Sequence, residues 1–169
     1  SAFRTASAGR RVASGQLLDE SLVVVYRMLF LLFAEARGLV PHWHPVYRDS
    51  YSLGGVRREL ERGVPRGLWE TLQAVARLAH RGCTAGTLKV PPFNGRLFSP
   101  SHAPLAATAC LSDRTVAAAV SALTTRVDKG RREEIAYEDL GVEQLGGVYE
   151  HLLDFDLDGD ETIVATGRR

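Results

Sequence analysis

The 169-residue sequence predicts a mainly α fold: a bundle-like helical domain with a minor β-hairpin or edge-strand element. Three observations predict it. Residues 22–34 are an almost unbroken apolar run. Leu68, Leu72, Val75, Ala76 and Ala79, and then Val116, Val120, Leu123 and Val127, recur at helical spacing. The one strand-like stretch, Leu88 to Phe98, is short and carries Pro91 and Pro92, which lack amide donors and demote it to an edge.

Residues 1–15 are small, polar and basic, and read as a flexible arm. From about Leu17 to Arg37 a helix is expected. Asp19 and Glu20 lie at its start, where acids suit the helix dipole, and Gly38 and Pro41 close it. It is apolar nearly all round, which assigns it to the centre of a bundle. Its apolar core of thirteen residues would cover about 20 Å as helix, short of the ~30 Å of bilayer hydrocarbon, so it reads as a buried helix and no membrane contact is expected.

Residues 41–50, with two prolines and the aromatics Trp43 and Tyr47, read as an ordered loop. A short amphipathic helix is expected from Gly55 to Arg62. The helix from Leu68 to His80 keeps Glu70, Gln73 and Arg77 on its outer side, and Gly82 stops it. Asn94-Gly95 suits a tight reversal. Ser112 or Asp113 is the expected cap of the helix marked by Val116 to Val127. Leu145, Val148, Tyr149 and Leu152 mark a last helix.

Composition narrows the function classes. An apolar share of 45% against 24% charged residues, in a chain of this length, fits one globular domain with a real core. A net charge of +1 gives no overall pull toward nucleic acid or anionic membrane. Lys89 and Lys129 are the only lysines among 21 basic residues. Such arginine richness suits bidentate phosphate contacts and equally accompanies a GC-rich genome. Cys83 and Cys110, with no CxxC spacing and no apolar signal core at Ser1 to Arg4, point to a cytoplasmic protein.

The chemical motifs are few. Asp154 to Asp160 opens like a calcium loop, with Gly159 at the sixth position, but Glu161 and Ala165 stand where an apolar residue and a bidentate Glu belong. An acidic hairpin turn from Phe155 to Val164 is the competing reading. His42, His44, His80 and Cys83 lack the spacing of a structural zinc site, and no metal ligand is assigned. Glu133-Glu134 and Glu138-Asp139 read as exposed loop carboxylates. Neither Lys89 nor Lys129 has an acid two residues before it, which excludes a PD-(D/E)xK nuclease, and neither GxSxG nor GxxxxGK[ST] occurs. No residue is assigned as catalytic. Arg57, Arg58, Arg62 and Arg66, with Arg131 and Arg132, are the candidates for contacts to a DNA backbone. Pairing with Glu59, Glu61 and Glu70 on a solvated face is the other reading.

Three separated blocks carry a family resemblance. They are Val25 to Pro41, Pro92 to Phe98, and Ala136 to Leu153 with its Tyr137-Glu138-Asp139-Leu140-Gly141-Val142 start. In order and rough spacing they resemble the region ahead of the catalytic domain in adenine-specific DNA methyltransferases of type IIG restriction–modification and phage-defence systems. The resemblance implies a non-catalytic helical spacer, residues 16–153, in a parent enzyme that methylates adenine N6 with S-adenosylmethionine. Residues 154–169 would then be an acidic turn and linker toward that catalytic domain. Leu145, Tyr149, Leu152 and Leu153 would dock on it, and double-stranded DNA would be reached through the parent.

The family's catalytic [Asn/Asp/Ser]-Pro-Pro-[Tyr/Phe/Trp] motif is imitated by Val90-Pro91-Pro92-Phe93, but Val90 offers no polar side chain to a flipped base. No cofactor is expected within the segment. An independent metal-binding module using the Asp154 loop, or a regulatory interaction module, is the alternative.

Overall fold

A computed structural model describes residues 14–128 and 130–154, and it is mainly α with two small antiparallel strand pairs. Helix α1 (Ser14–Ala36) runs through the middle. Every residue from Ser21 to Glu35 is buried or half-buried, as a helix apolar on all sides requires. It starts at Ser14, inside the stretch expected as an arm; residues 1–13 lie outside those described.

Around it, in chain order, come α2 (Pro45–Ser50), α3 (Leu53–Leu60), α4 (Leu68–Arg81), β1 (Cys83–Ala85), β2 (Leu88–Val90), α5 (Gly95–Phe98), α6 (Pro104–Thr108), α7 (Asp113–Thr124), β3 (Thr125–Asp128), β4 (Arg131–Glu134) and α8 (Val142–Asp154). Single 3-10 turns at Pro100–His102 and Tyr137–Asp139 complete the order. Helix α1 packs against α3, α5, α6, α7 and α8, while α4 packs on α5 and α7. Met28, Leu31, Leu32, Leu53, Leu72, Val75, Phe98, Val116 and Val120 form the main core. A smaller cluster of Ala34, Val40, Tyr47, Leu78, Leu88 and Val90 seals the end near the first hairpin. Among the described residues no helix is long and apolar enough to cross a membrane.

Three local expectations need correction, and one hairpin is additional. The 41–50 loop contains helix α2, because Pro45 at its first turn has the φ a helix start wants and no amide to lose. Asn94-Gly95 does not reverse a hairpin. Asn94, at φ +44, precedes α5, and the strands turn instead at Gly86, φ +59. The third long helix stops at Thr124. Val127, expected on its apolar face, is 74% exposed on β3. Strands β3 and β4 were not anticipated, because Thr-Arg-Val-Asp and Arg-Arg-Glu-Glu lack apolar alternation; both are largely exposed and turn at Gly130, φ +77.

Buried polar groups set how the helices meet. Glu20, read in the sequence as an acid at the helix start, is 4% exposed. Its Oε2 accepts from the Ala106 N–H (2.9 Å), capping α6. Two turns on, Arg27 donates from Nε to the Leu97 carbonyl (2.8 Å) and from Nη2 to that of Ser99 (3.0 Å), fastening α5. Asp113 accepts from Gly67 N–H (3.2 Å) and Leu68 N–H (2.9 Å) and so caps α4. Its own helix is capped by Ser112, which accepts from Thr115 N–H. Each of these carboxylates satisfies orphan amides of a helix remote in sequence.

Candidate functional site

The arginines named from the sequence divide by environment. Arg57, on α3, has a side chain only 19% exposed and pairs with Glu61 (2.7 Å) and with Glu134 of β4 (3.0 Å). That double engagement removes it from the free cations and draws β4 against α3. Arg58, Arg62 and Arg66 are exposed, but α3 ends at Leu60. Arg62 therefore lies in the closing turn, its N–H on the Glu59 carbonyl, rather than one helical turn above Arg58. Arg131 and Arg132 are consecutive on β4 and point to opposite faces of the hairpin. The six arginines do not form a single stripe.

The last helix is held by its own domain. Leu145 is 4% exposed, and α8 contacts α1. It therefore belongs to the packing within this chain rather than to a free docking face. For Tyr149, Leu152 and Leu153 the backbone alone is described, as helix; Val142 and Val148 on the same helix are 72% and 39% exposed. The loop expected from Asp154 onward lies outside the described residues beyond Asp154 itself.

Two of the histidines have individual partners. His44 Nε2 meets Thr87 Oγ1 at 3.0 Å, and His80 Nδ1 meets the Gly95 carbonyl at 3.0 Å. Among the described residues no group of three His, Cys, Asp or Glu is placed to hold a metal ion. Glu133 pairs with Arg126 at 3.4 Å.

A polar cavity that sequence reading missed lies where α1, α3, β4 and the Tyr137–Asp139 turn meet. It encloses about 210 Å³. Its anchor is Glu35, in the last turn of α1, whose Oε1 accepts from Leu53 N–H (2.7 Å) and Oε2 from Gly54 N–H (3.1 Å). Burial pushes the Glu35 carboxyl up to about 7, although the two amides and the Arg58 guanidinium pull the other way. His42, across the cavity, is held below the usual imidazole value by burial and by Arg58 and Arg48. The single sequence signal was an acid in the last turn of a helix, where the dipole opposes it. Such a residue calls for a compensating partner, and the start of α3 supplies it.

The chain matches no protein-family model, no curated protein and no solved structure.

Proposed function

We propose that this chain is a non-catalytic helical spacer of a cytoplasmic, site-specific adenine-N6 DNA methyltransferase of the restriction–modification or phage-defence kind. One observation carries the reading: the three blocks that resemble that family meet on one helix. Phe30, in the first block, packs against Phe93 (6.3 Å between ring centroids) and Phe98 (6.0 Å) of the second. Arg27 holds the Leu97 carbonyl of that second block. Arg37 Nη2, at the end of the first, donates to the Leu140 carbonyl of the third (2.8 Å), and Leu145 is buried beyond it. Segments up to 103 positions apart thus form one packed unit, as expected if they act together as a rigid spacer.

On this reading the parent's catalytic domain binds S-adenosylmethionine and performs the transfer. Tyr149, Leu152 and Leu153 are the docking residues toward it. Arg62 and Arg66 supply sequence-independent phosphate contacts when the parent holds a duplex.

The test is the gene downstream of the Arg169 codon, followed by an adenine methylation assay on the encoded polypeptide. A Gly-rich cofactor loop, an Asn-Pro-Pro-aromatic motif and transfer of label to adenine are expected. A stop codon in place of that domain overturns the proposal.

A further inference from the structure

Three polar side chains converge above Gly54. A methyl carbon built on its Cα would lie 3.6 Å from Glu35 Oε2, 3.8 Å from Arg58 Nη1 and 4.0 Å from His42 Nε2. Glycine leaves that point open to the cavity of about 210 Å³. The space is large enough for a small organic molecule rather than a single water.

The donors and acceptors there do not balance. Both Glu35 oxygens already accept backbone amides, so the proton of its acid form has no acceptor on the cap. Arg58 has no ion pair among the described residues, and its guanidinium brings a planar fork of donors. Of the nearby carboxylates, Asp49, which also feels Arg58, is paired with Arg48 (2.9 Å), Glu134 is engaged by Arg57, and Glu138 is exposed at the rim. Leu32, Ala36 and Ile135 supply an apolar wall.

We propose that this cavity binds a small organic monocarboxylate, its carboxylate on Arg58, His42 and Glu35 and its apolar body against Leu32, Ala36 and Ile135. One unpaired cation matches one negative charge, and a planar carboxylate fits the guanidinium fork. The carboxylates of Glu134 and Glu138 disfavour a dianion and the successive phosphates of a duplex. This site is independent of the spacer reading above.

Binding weakens as pH rises through 7. Glu35 protonated is a donor to the ligand; ionised, it repels it. The other groups facing Glu35 come from every element around it. Tyr47 from α2 and Tyr137 from the 3-10 turn are both pushed above the usual phenol range by burial and stay neutral. His42 is already depressed. Arg57 and Glu134 face each other as an ion pair, and Arg58 and Glu138 also line the cavity.

The experiment is a titration of the 169-residue chain, followed by amide and arginine Nε NMR, with isobutyrate, benzoate, inorganic phosphate and a short DNA duplex at pH 6 and pH 8. Isobutyrate or benzoate should shift Gly54 and Arg58 saturably, and more tightly at pH 6. Arg58→Gln, a surface change that leaves the core intact, should weaken binding about tenfold, the loss of a charge-assisted contact. Glu35→Gln should remove the pH dependence, and Arg66→Gln should change nothing. No saturable shift, a shift indifferent to Arg58→Gln, or a response to phosphate or duplex alone overturns the proposal.

Discussion

Glu35 Oε1 accepts the Leu53 backbone N–H at 2.7 Å, so a carboxylate at the end of the first helix caps the third. Its partner contact to Gly54 N–H makes the cap bidentate. Ser52, the local N-cap, takes Gly55 N–H instead, so three amides of the first turn are satisfied by two side chains from different parts of the chain.

The first prediction concerns pH and stability. The folded-state value of Glu35, about 7, lies above its ordinary 4.5. Stability attached to the neutral form is therefore complete below about pH 4.5 and lost as pH rises through 7, with a ceiling on the order of 3 kcal/mol. Glu35→Gln lacks this term. Its deficit against the native chain should shrink between pH 5 and pH 8 in urea denaturation. A deficit constant with pH would contradict the assignment.

Removing the other buried cap has a different signature. Glu20→Ala strands the Ala106 amide and leaves Arg27 without the nearby charge that favours its ionised form. A loss of about 2–3 kcal/mol is expected, as for a hydrogen bond to a buried charged group. Hydrogen exchange should quicken first in α6, whose start it caps. A change within experimental error would show that Gln16 and water replace it.

Two glycines at positive φ should respond unequally to alanine. At Gly82, φ +72, a new Cβ meets the Val90 carbonyl oxygen at 2.7 Å and Pro92 Cδ at 2.9 Å. At Gly38, φ +64, it meets nothing within 4 Å. Gly38→Ala should cost about 1 kcal/mol from backbone strain alone, and Gly82→Ala about 3 kcal/mol or more, since β2 must move. Thermal denaturation of both variants measures the difference; equal losses would argue against the close approach of helix α4's end to β2.

Leu145 distinguishes core from docking surface. Buried at 4% exposure, Leu145→Ala should lower the stability of the isolated chain by about 2–4 kcal/mol, whereas truncating a residue of a free docking face leaves it within about 0.5 kcal/mol. Denaturant titration decides between the two.

Much of this architecture was legible in the residue pattern. Periodicity located α4 to within a residue of its ends, because Gly82 and the alternation of apolar and charged positions act locally. It also located α7 at its start, where Ser112 is a side-chain cap close in sequence. It failed at the end of α7 and at β3 and β4, where exposed strands hold together by backbone pairing and by Arg57–Glu134, neither of which leaves an apolar signature. The candidate arginines were visible as residues, but not as environments. Only the packing of α3 on β4 decided that Arg57 is engaged and Arg58 is not.

The sequence by itself determined the fold class, the central place of the first helix and the absence of standard catalytic motifs, because apolar period and turn chemistry are properties of neighbouring residues. The tertiary structure alone decided what the buried charges do. Glu20, Glu35 and Asp113 find their amides 86, 18 and 45 positions away. A carboxylate's field and a helix's orphan N–H groups act through space, so no local pattern records which pair will meet.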